Sequence, residues 1–183
     1  MSNKVKILSL ILPIILAGCG TTNTNINYQV NSPAQVKKNV SVFLQEVEDV
    51  RPVSARGVIG SVDNTAGMKF GDIKEPDNFI GILKQAVGGE LTNAGYTLAL
   101  DSKDISIKTQ LESAACLWNG KSCATIRLRF IVNDHGHEVI NKVYGGDAAK
   151  FAFIGYAFDA ALTESATKSI NQFIKDLDSY VKS

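Results

Sequence analysis

Two cysteines, Cys116 and Cys123, stand on either side of an Asn119-Gly120 step. Asn-Gly is a favoured two-residue hairpin turn, because both positions tolerate positive φ. A turn centred there places Cys116 opposite Cys123, and directly opposed residues have Cα atoms about 4.5–5.5 Å apart, within the range of a disulfide. A zinc site is the alternative, but it needs two further ligands nearby. We therefore predict a disulfide between Cys116 and Cys123.

The His-Gly-His step at His135 and His137 adjoins Asp134. Two imidazoles and a carboxylate can bind a metal ion, whereas an exposed hairpin turn predicts solvated side chains. We favour the solvated turn, because no distant fourth ligand can be named. Ser165 has no arrangement of histidine and carboxylate that resembles a nucleophilic triad. The sequence thus predicts a protein that is not an enzyme, without a metal site or a cofactor.

The beginning of the chain has the order of a secretory signal. Lys4 and Lys6 precede an apolar run over residues 7–16, and two small residues then lead to Cys19. A positive segment, an apolar segment and small residues before a cut are the pattern of a signal peptide. The apolar run is shorter than the roughly 20 residues that span a bilayer as a helix. We therefore predict a signal peptide over residues 1–18.

The four residues Leu16, Ala17, Gly18 and Cys19 resemble a lipobox, the cleavage and lipidation site of bacterial lipoproteins. An ordinary signal peptide with an incidental cysteine is the alternative. The resemblance implies a lipid anchor on Cys19 with more than one acyl chain, which is enough for stable membrane attachment. Gly20 follows in place of the aspartate that would indicate inner-membrane retention. We therefore expect attachment to the outer membrane, facing the periplasm.

Charge and length limit the classes of partner. The chain has 183 residues with 19 basic and 18 acidic side chains, and removal of Lys4 and Lys6 leaves 17 basic residues. A nearly neutral domain has no basic field that attracts nucleic acid, so we expect no nucleic-acid partner. The polar residues 19–38 are expected to be the lipidated cysteine and a flexible tether. The length of residues 39–183 suits one periplasmic domain.

Hydrophobic periodicity predicts the elements of that domain. Three features are less regular: a glycine-rich stretch over 54–76 that could hold a small hairpin, a helix weakened by Gly81, Gly88 and Gly89, and a last strand of undecided register. We predict strands over 39–47, 96–100, 105–115, 124–133 and 139–144, and helices from Asp77 to Gly95 and over 158–181. These elements predict an α+β, two-layer sandwich: a mainly antiparallel sheet of four to five strands with two helices on one face.

The register set by the turn can be checked against polarity. It pairs Leu111 with Leu128 on one face of the sheet, and Glu112 with Arg127 on the other. Lys108, Glu112, Arg127 and Arg129 should therefore line the outward face. A solvated face of mixed charge is the ordinary interpretation, and a partner-binding surface is the sharper one. The long stretch over 54–76 could also be functional or mobile.

Several short motifs resemble the YajG-like bacterial lipoproteins and, more distantly, periplasmic domains with an anticodon-binding-like two-layer fold. The likeness covers about residues 39–181. The motifs are the lipobox at Leu16–Cys19, the Asp49-x-Arg51 pair after the first strand, the Gly95-Tyr96 step after the first helix, and Lys142-Val143-Tyr144 before the last helix. The resemblance implies a place in the cell envelope and contacts with other proteins, without catalytic residues.

These observations favour a non-enzymatic, lipid-anchored protein that binds another envelope protein as an accessory or assembly factor. A component of an envelope transport or secretion machine, which binds lipid or glycan or forms a homo-oligomeric ring, is the alternative. A hydrolase is a third class, and no residue pattern supports it.

Overall fold

The computed structural model describes residues 20–24, 26, 28, 36–63, 66–101, 105–118, 120–151 and 157–182. The predicted signal peptide and Cys19 lie outside these residues. The described strands are β1 (Gly20–Asn23), β2 (Ser41–Asp49), β3 (Val58–Asp63), β4 (Lys69–Lys74), β5 (Thr97–Leu98), β6 (Ile105–Trp118), β7 (Ser122–Asp134) and β8 (His137–Lys150). The described helices are α1 (Phe79–Asn93) and α2 (Phe158–Val181), with a 3-10 turn at Val53–Ala55.

The strands form one mixed sheet built around β6. One edge of β6 pairs with β7 along its whole length, and β8 follows beyond β7. The other edge is divided, because its first half pairs with β2 and its last residues pair with β3, both parallel. β5 lies outside β2, and β4 and then β1 lie outside β3. The fold is α+β, but the prediction of four to five mainly antiparallel strands is wrong: the described residues form eight strands in one mixed sheet.

The additional strands come from stretches that the sequence assigned to loop and tether. The possible hairpin over 54–76 is present as β3 and β4, and it joins the main sheet instead of standing apart. The tether prediction is wrong for residues 20–23, which form β1 in parallel with β4. An edge strand is held by backbone hydrogen bonds on one side only and needs no apolar alternation. Ile26 is also buried, and Tyr28 donates a hydrogen bond to Glu90 of α1.

Helix α2 fits its predicted bounds, and its apolar stripe explains its position. Phe173 stacks on Phe130 of β7 with ring centroids 3.9 Å apart, and Tyr144 of β8 meets both rings edge-on. α2 packs against β7 and β8, while α1 packs against β2 and α2, so both helices cover the same face of the sheet. The core lies between that face and the helices.

The backbone conformations of Asn78 and Gly95 set the two ends of α1. The helix begins at Phe79, two residues after its predicted start at Asp77: Asn78 occupies the cap position with φ of 53° and makes no side-chain capping bond. The helix ends at Asn93, and Gly95 then adopts φ of 92°, a left-handed conformation that glycine reaches without strain. The predicted stop at Gly95 is therefore confirmed.

Two rows of paired residues define opposite ends of the sheet. The first row crosses six strands, and we call its end the entry end because the described chain enters the sheet there. Its members are Gly20, Gly71, Val62, Trp118, Ser122 and Lys150. The second row marks the far end, and its members are Leu98, Val42, Ile105, Asp134 and His137.

Candidate functional site

The two cysteines of the hairpin do not face each other. The register agrees with the prediction at Leu111 and Leu128, but a bulge at Glu112 then shifts it by one residue. Cys116 consequently pairs with Ala124, whereas Cys123, the residue before Ala124 in β7, pairs with Leu117. Because neighbouring residues of a strand point to opposite faces, the two side chains diverge. Both are free thiols, so the predicted opposition is wrong and the structure contains no disulfide between them.

The two thiols also differ in environment. Cys116 is 4% exposed on the helix-covered face, whereas Cys123 is half-buried on the other face. Burial raises the pKa of the Cys116 thiol to about 12, and the nearby carboxylate of Asp159 acts in the same direction. A thiol held in its protonated form is a poor nucleophile.

Hydrogen bonds stabilise the turn that contains His135. His135 Nδ1 lies 2.7 Å from one carboxylate oxygen of Asp134, and the Tyr180 hydroxyl donates to the other oxygen at 2.6 Å. The hydrogen bond from Tyr180 lowers the pKa of Asp134, and the hydrogen bond from His135 lowers it further. His135 and His137 are both exposed. Within the described ranges, no group of three or more His, Cys, Asp or Glu side chains could hold a metal ion.

The four charged residues predicted for the outward sheet face do lie there, but mainly paired with neighbours. Arg129 binds Glu112 and donates to Asn141, and Lys108 lies 2.8 Å from Glu48. The bulge places Ser113 opposite Arg127, so the predicted pairing of Arg127 with Glu112 is wrong. A partner would have to compete with these existing contacts, which weakens the case for this face as a binding surface.

The Asp49–Arg51 pair is structural. The Arg51 guanidinium, 2% exposed, donates to both oxygens of Asp49 and to Glu75 at 2.7–2.9 Å, and to the Ala55 carbonyl at 3.2 Å. Hydrogen bonding from Arg51 lowers the pKa of the Asp49 carboxyl. The cluster fixes the end of β2 against the end of β4, which accounts for its geometry as a structural contact and not as a ligand site.

A groove beside α1 is the best candidate for a binding site. It has a volume of about 830 Å³ and runs between α1 and β5 at the far end of the sheet. Its described lining comprises Leu44, Lys84, Gln85, Gly88, Gly89, Thr92, Asn93, Leu98, Ala99 and Leu100. Leu98 is 43% exposed and Leu100 is fully exposed, so two accessible leucines lie together on the wall of the groove.

The groove exists because α1 presents glycine where a side chain would fill the space. A Cβ added at Gly88 would lie 3.5 Å from Leu98 and 3.6 Å from Leu44, at ordinary contact distance. The position therefore accepts alanine, and a longer side chain would extend into the groove. Gly88 and Gly89 were recognised in the sequence as weakening the helix, and two glycines on one helical turn were the signal for an open helix face.

The strand that borders the groove has an unpaired edge in the described structure. The amides of Thr97 and Ala99 donate to the carbonyls of Val40 and Val42 on the β2 side. Successive backbone groups of a strand point to opposite sides, so the amide and carbonyl of Leu98 point to the outer edge. An extended peptide could pair there and place a side chain into the groove.

Comparisons with known proteins support the fold. No protein-family model matches the sequence, and no curated protein matches it either. An uncharacterised protein of known structure superposes with a TM-score of 0.56 at 12% identity, covering 86% of this chain and 99% of the other. A Xanthomonas campestris protein of the DUF330 family has a TM-score of 0.56 at 14% identity, covering 90% and 99%. A hypothetical protein from Chlamydia trachomatis has a TM-score of 0.53 at 7% identity, covering 79% and 98%.

These similarities span nearly the whole of each neighbouring chain, so the described domain shares one overall fold with them. At such low identity they carry no residue roles. Within the described parts of the chain, no helix is long and apolar enough to cross a membrane.

Proposed function

We propose that this protein is a lipid-anchored, non-enzymatic accessory protein of the bacterial envelope, whose groove between α1 and β5 binds an extended apolar segment of another envelope protein. The observation that carries the proposal is the coincidence of an apolar groove with the outer edge of β5. The edge offers backbone hydrogen bonds, and the groove offers burial for an apolar side chain.

The anchor is supported by the sequence at Leu16–Cys19, where small residues and a cysteine follow the apolar run at lipobox spacing. We assign the lipid to Cys19 and place the protein at the outer membrane, facing the periplasm. Kinship with the YajG-like lipoproteins belongs to this proposal and rests on the short motifs described above.

A binding role fits the chemistry of the groove better than catalysis does. Among the described lining residues, Lys84 alone is ionisable, and it is paired with Glu46 of β2. General acid–base chemistry needs a titratable group within reach of the reacting atoms. The lining supplies apolar contact and backbone groups instead.

A second candidate occupant is an acyl chain of a lipid, because the lining is mainly apolar. It would correspond to a transport component that binds lipid. Organic extraction of protein purified from native membranes, followed by mass spectrometry, distinguishes the two. A stoichiometric lipid that is lost in a Gly88→Leu variant would favour the acyl chain.

Site-specific photo-crosslinking tests the peptide proposal. A benzoylphenylalanine in place of Leu100, in the full-length protein in its native cells, should give a defined adduct that maps to an apolar segment of one envelope protein. Gly88→Leu should reduce that adduct strongly by filling the groove, whereas Gly88→Ala should preserve most of it, because an alanine Cβ meets only ordinary contacts.

The same crosslinker at Lys175, an exposed residue of α2, is the control for non-specific capture. Equal adducts at Leu100 and Lys175, or an adduct at Leu100 that Gly88→Leu leaves unchanged, would contradict binding in the groove.

A further inference from the structure

We propose that the entry end of the sheet lies against the lipid bilayer, and that Met68, Phe70, Leu117 and Phe151 contact the membrane interface there. This inference rests on the proposed lipid anchor at Cys19. It adds a fixed orientation: the domain contacts the membrane with the entry end of its sheet and is not separated from it by a flexible tether.

The proposed anchor is joined directly to the sheet. Gly20 is already paired with Gly71 in the sheet, as the first residue of β1. Cys19 is joined to Gly20 by one peptide bond, so their Cα atoms are about 3.8 Å apart. A lipid on Cys19 therefore tethers this end of the sheet to the membrane surface, with no linker residue between the lipidated cysteine and β1.

Exposed apolar side chains also lie at the entry end. Phe70 immediately precedes Gly71, Phe151 immediately follows Lys150, and Leu117 precedes Trp118, so all three adjoin members of the entry-end row. The exposed fractions are 62% for Met68, 50% for Phe70, 38% for Leu117 and 81% for Phe151. Aromatic and aliphatic side chains of this kind insert into the boundary between headgroups and acyl chains.

The entry end carries both positive and negative side chains, and this balance determines which lipids it can contact. Lys69 lies 2.5 Å from Asp72, and Lys150 pairs with Glu164. Paired charges give little attraction to anionic headgroups, so contact through apolar side chains should occur on zwitterionic lipid as well. The occupant of this surface is therefore the membrane interface in general, without a requirement for an acidic lipid.

The orientation has a consequence for the groove. β6 runs from Ile105 at the far end to Trp118 at the entry end, a length on the order of 40 Å at about 3.3 Å per residue. With the entry end on the bilayer, β6 stands away from the membrane. The groove beside Leu98 is then presented to the periplasm, far from the lipid surface.

Depth-dependent fluorescence quenching tests the orientation. Trp118 is the only tryptophan, so Trp118→Phe gives a silent background in the full-length lipidated protein. Phe70→Trp places a probe at the entry end, and Leu100→Trp places a matched exposed probe at the far end. In phosphatidylcholine vesicles with brominated acyl chains, emission from Phe70→Trp should shift to shorter wavelength and lose intensity, and emission from Leu100→Trp should do neither.

Flotation with the vesicles and the mass of the Cys19 peptide separate the possible failures. Quenching that is equal at both probes, absent at both or confined to Leu100→Trp, in protein that floats and carries lipid, overturns the orientation alone. A blue shift of Phe70→Trp without quenching also overturns it, because the probe would then be covered by protein. If Cys19 carries no lipid and the protein does not float, the anchor fails and the orientation falls with it.

Discussion

At the scale of single residues, Arg51 links three segments through one guanidinium. Its bonds to Asp49 and Glu75 join the end of β2 to the end of β4, and its guanidinium carbon lies 5.8 Å from the centroid of the Phe79 ring at the start of α1. The planar fork of arginine matches two carboxylates in a way that an ammonium group does not. The cluster therefore holds the region where strands give way to the helix that lines the groove.

Arg51→Met should destabilise the fold by about 2–4 kcal/mol, because it leaves two partly enclosed carboxylates without their cation. The matched control is Arg56→Met: Arg56 lies 3.5 Å from Asp49 and donates to the backbone carbonyls of Asp49 and Arg51, but its side chain is 43% exposed. Because exposed contacts contribute less, we expect a smaller loss of about 1 kcal/mol. Chemical denaturation of both variants measures the two free energies of unfolding. Equal losses would mean that burial of Arg51 is not what makes its contacts important.

The cysteine pair shows where residue patterns stop being informative. Alternation and the Asn119-Gly120 turn predicted the pairing of Leu111 with Leu128 correctly, close to the core. The bulge at Glu112 has no sequence signature, because either register keeps apolar side chains on the buried face. Glu112 instead binds Arg129 across the strand pair. A shift of one residue is enough to turn a predicted disulfide into two thiols on opposite faces.

At the scale of elements, serines of α2 fasten the helix to the sheet. The Ile126 amide donates to the Ser165 hydroxyl at 2.7 Å, Ser165 donates to the Gly146 carbonyl, and Ser169 donates to the Ile126 carbonyl at 2.9 Å. Such short bonds need close contact between the backbones. Gly146 permits it, because a Cβ there would lie 2.0 Å from the Ser165 carbonyl oxygen.

Gly146→Ala should therefore destabilise the protein by about 1–3 kcal/mol through overpacking of the α2–β8 contact. Gly145→Ala is the matched control, since its added Cβ would come no closer than 3.8 Å to Arg127. Thermal unfolding should show a lower midpoint for Gly146→Ala and a nearly unchanged one for Gly145→Ala. A similar midpoint for both would contradict the close helix–sheet contact.

Elements with strong periodicity were predictable, and those held by distant partners were not. The stripe that includes Phe158, Leu162 and Ile170 predicted α2 over its observed range, since every third or fourth side chain is buried. Residues 20–23 lack such a pattern, because β1 is stabilised through the backbone of β4. The groove was equally hidden, because it needs Gly88 of α1 and Leu98 of β5, which only the tertiary fold brings together.

At the scale of the whole molecule, carboxylates on both sides of the helix–sheet interface connect its layers. Asp176 of α2 accepts hydrogen bonds from Lys142 at 2.7 Å and from Tyr144 at 2.8 Å, and Asp134 accepts from Tyr180. The hydrogen bond from Lys142 is the main cause of the lowered pKa of Asp176, and that from Tyr180 lowers the pKa of Asp134. Ionised carboxylates therefore contribute to holding the C-terminal half of α2 on the sheet.

A carboxyl whose pKa is lower in the folded state stabilises the fold above its ordinary pKa, and this contribution is lost as the pH falls through the folded value. The unfolding midpoint should therefore decrease from about pH 6 to about pH 3. Asp176→Asn should reduce that decrease, because it removes one of the titrating groups, and Asp77→Asn, at an exposed position before α1, should not. The pairs are near the surface, so added salt should weaken the effect. If the pH profile of Asp176→Asn matched that of the unsubstituted protein, Asp176 would make no pH-dependent contribution to holding α2 on the sheet.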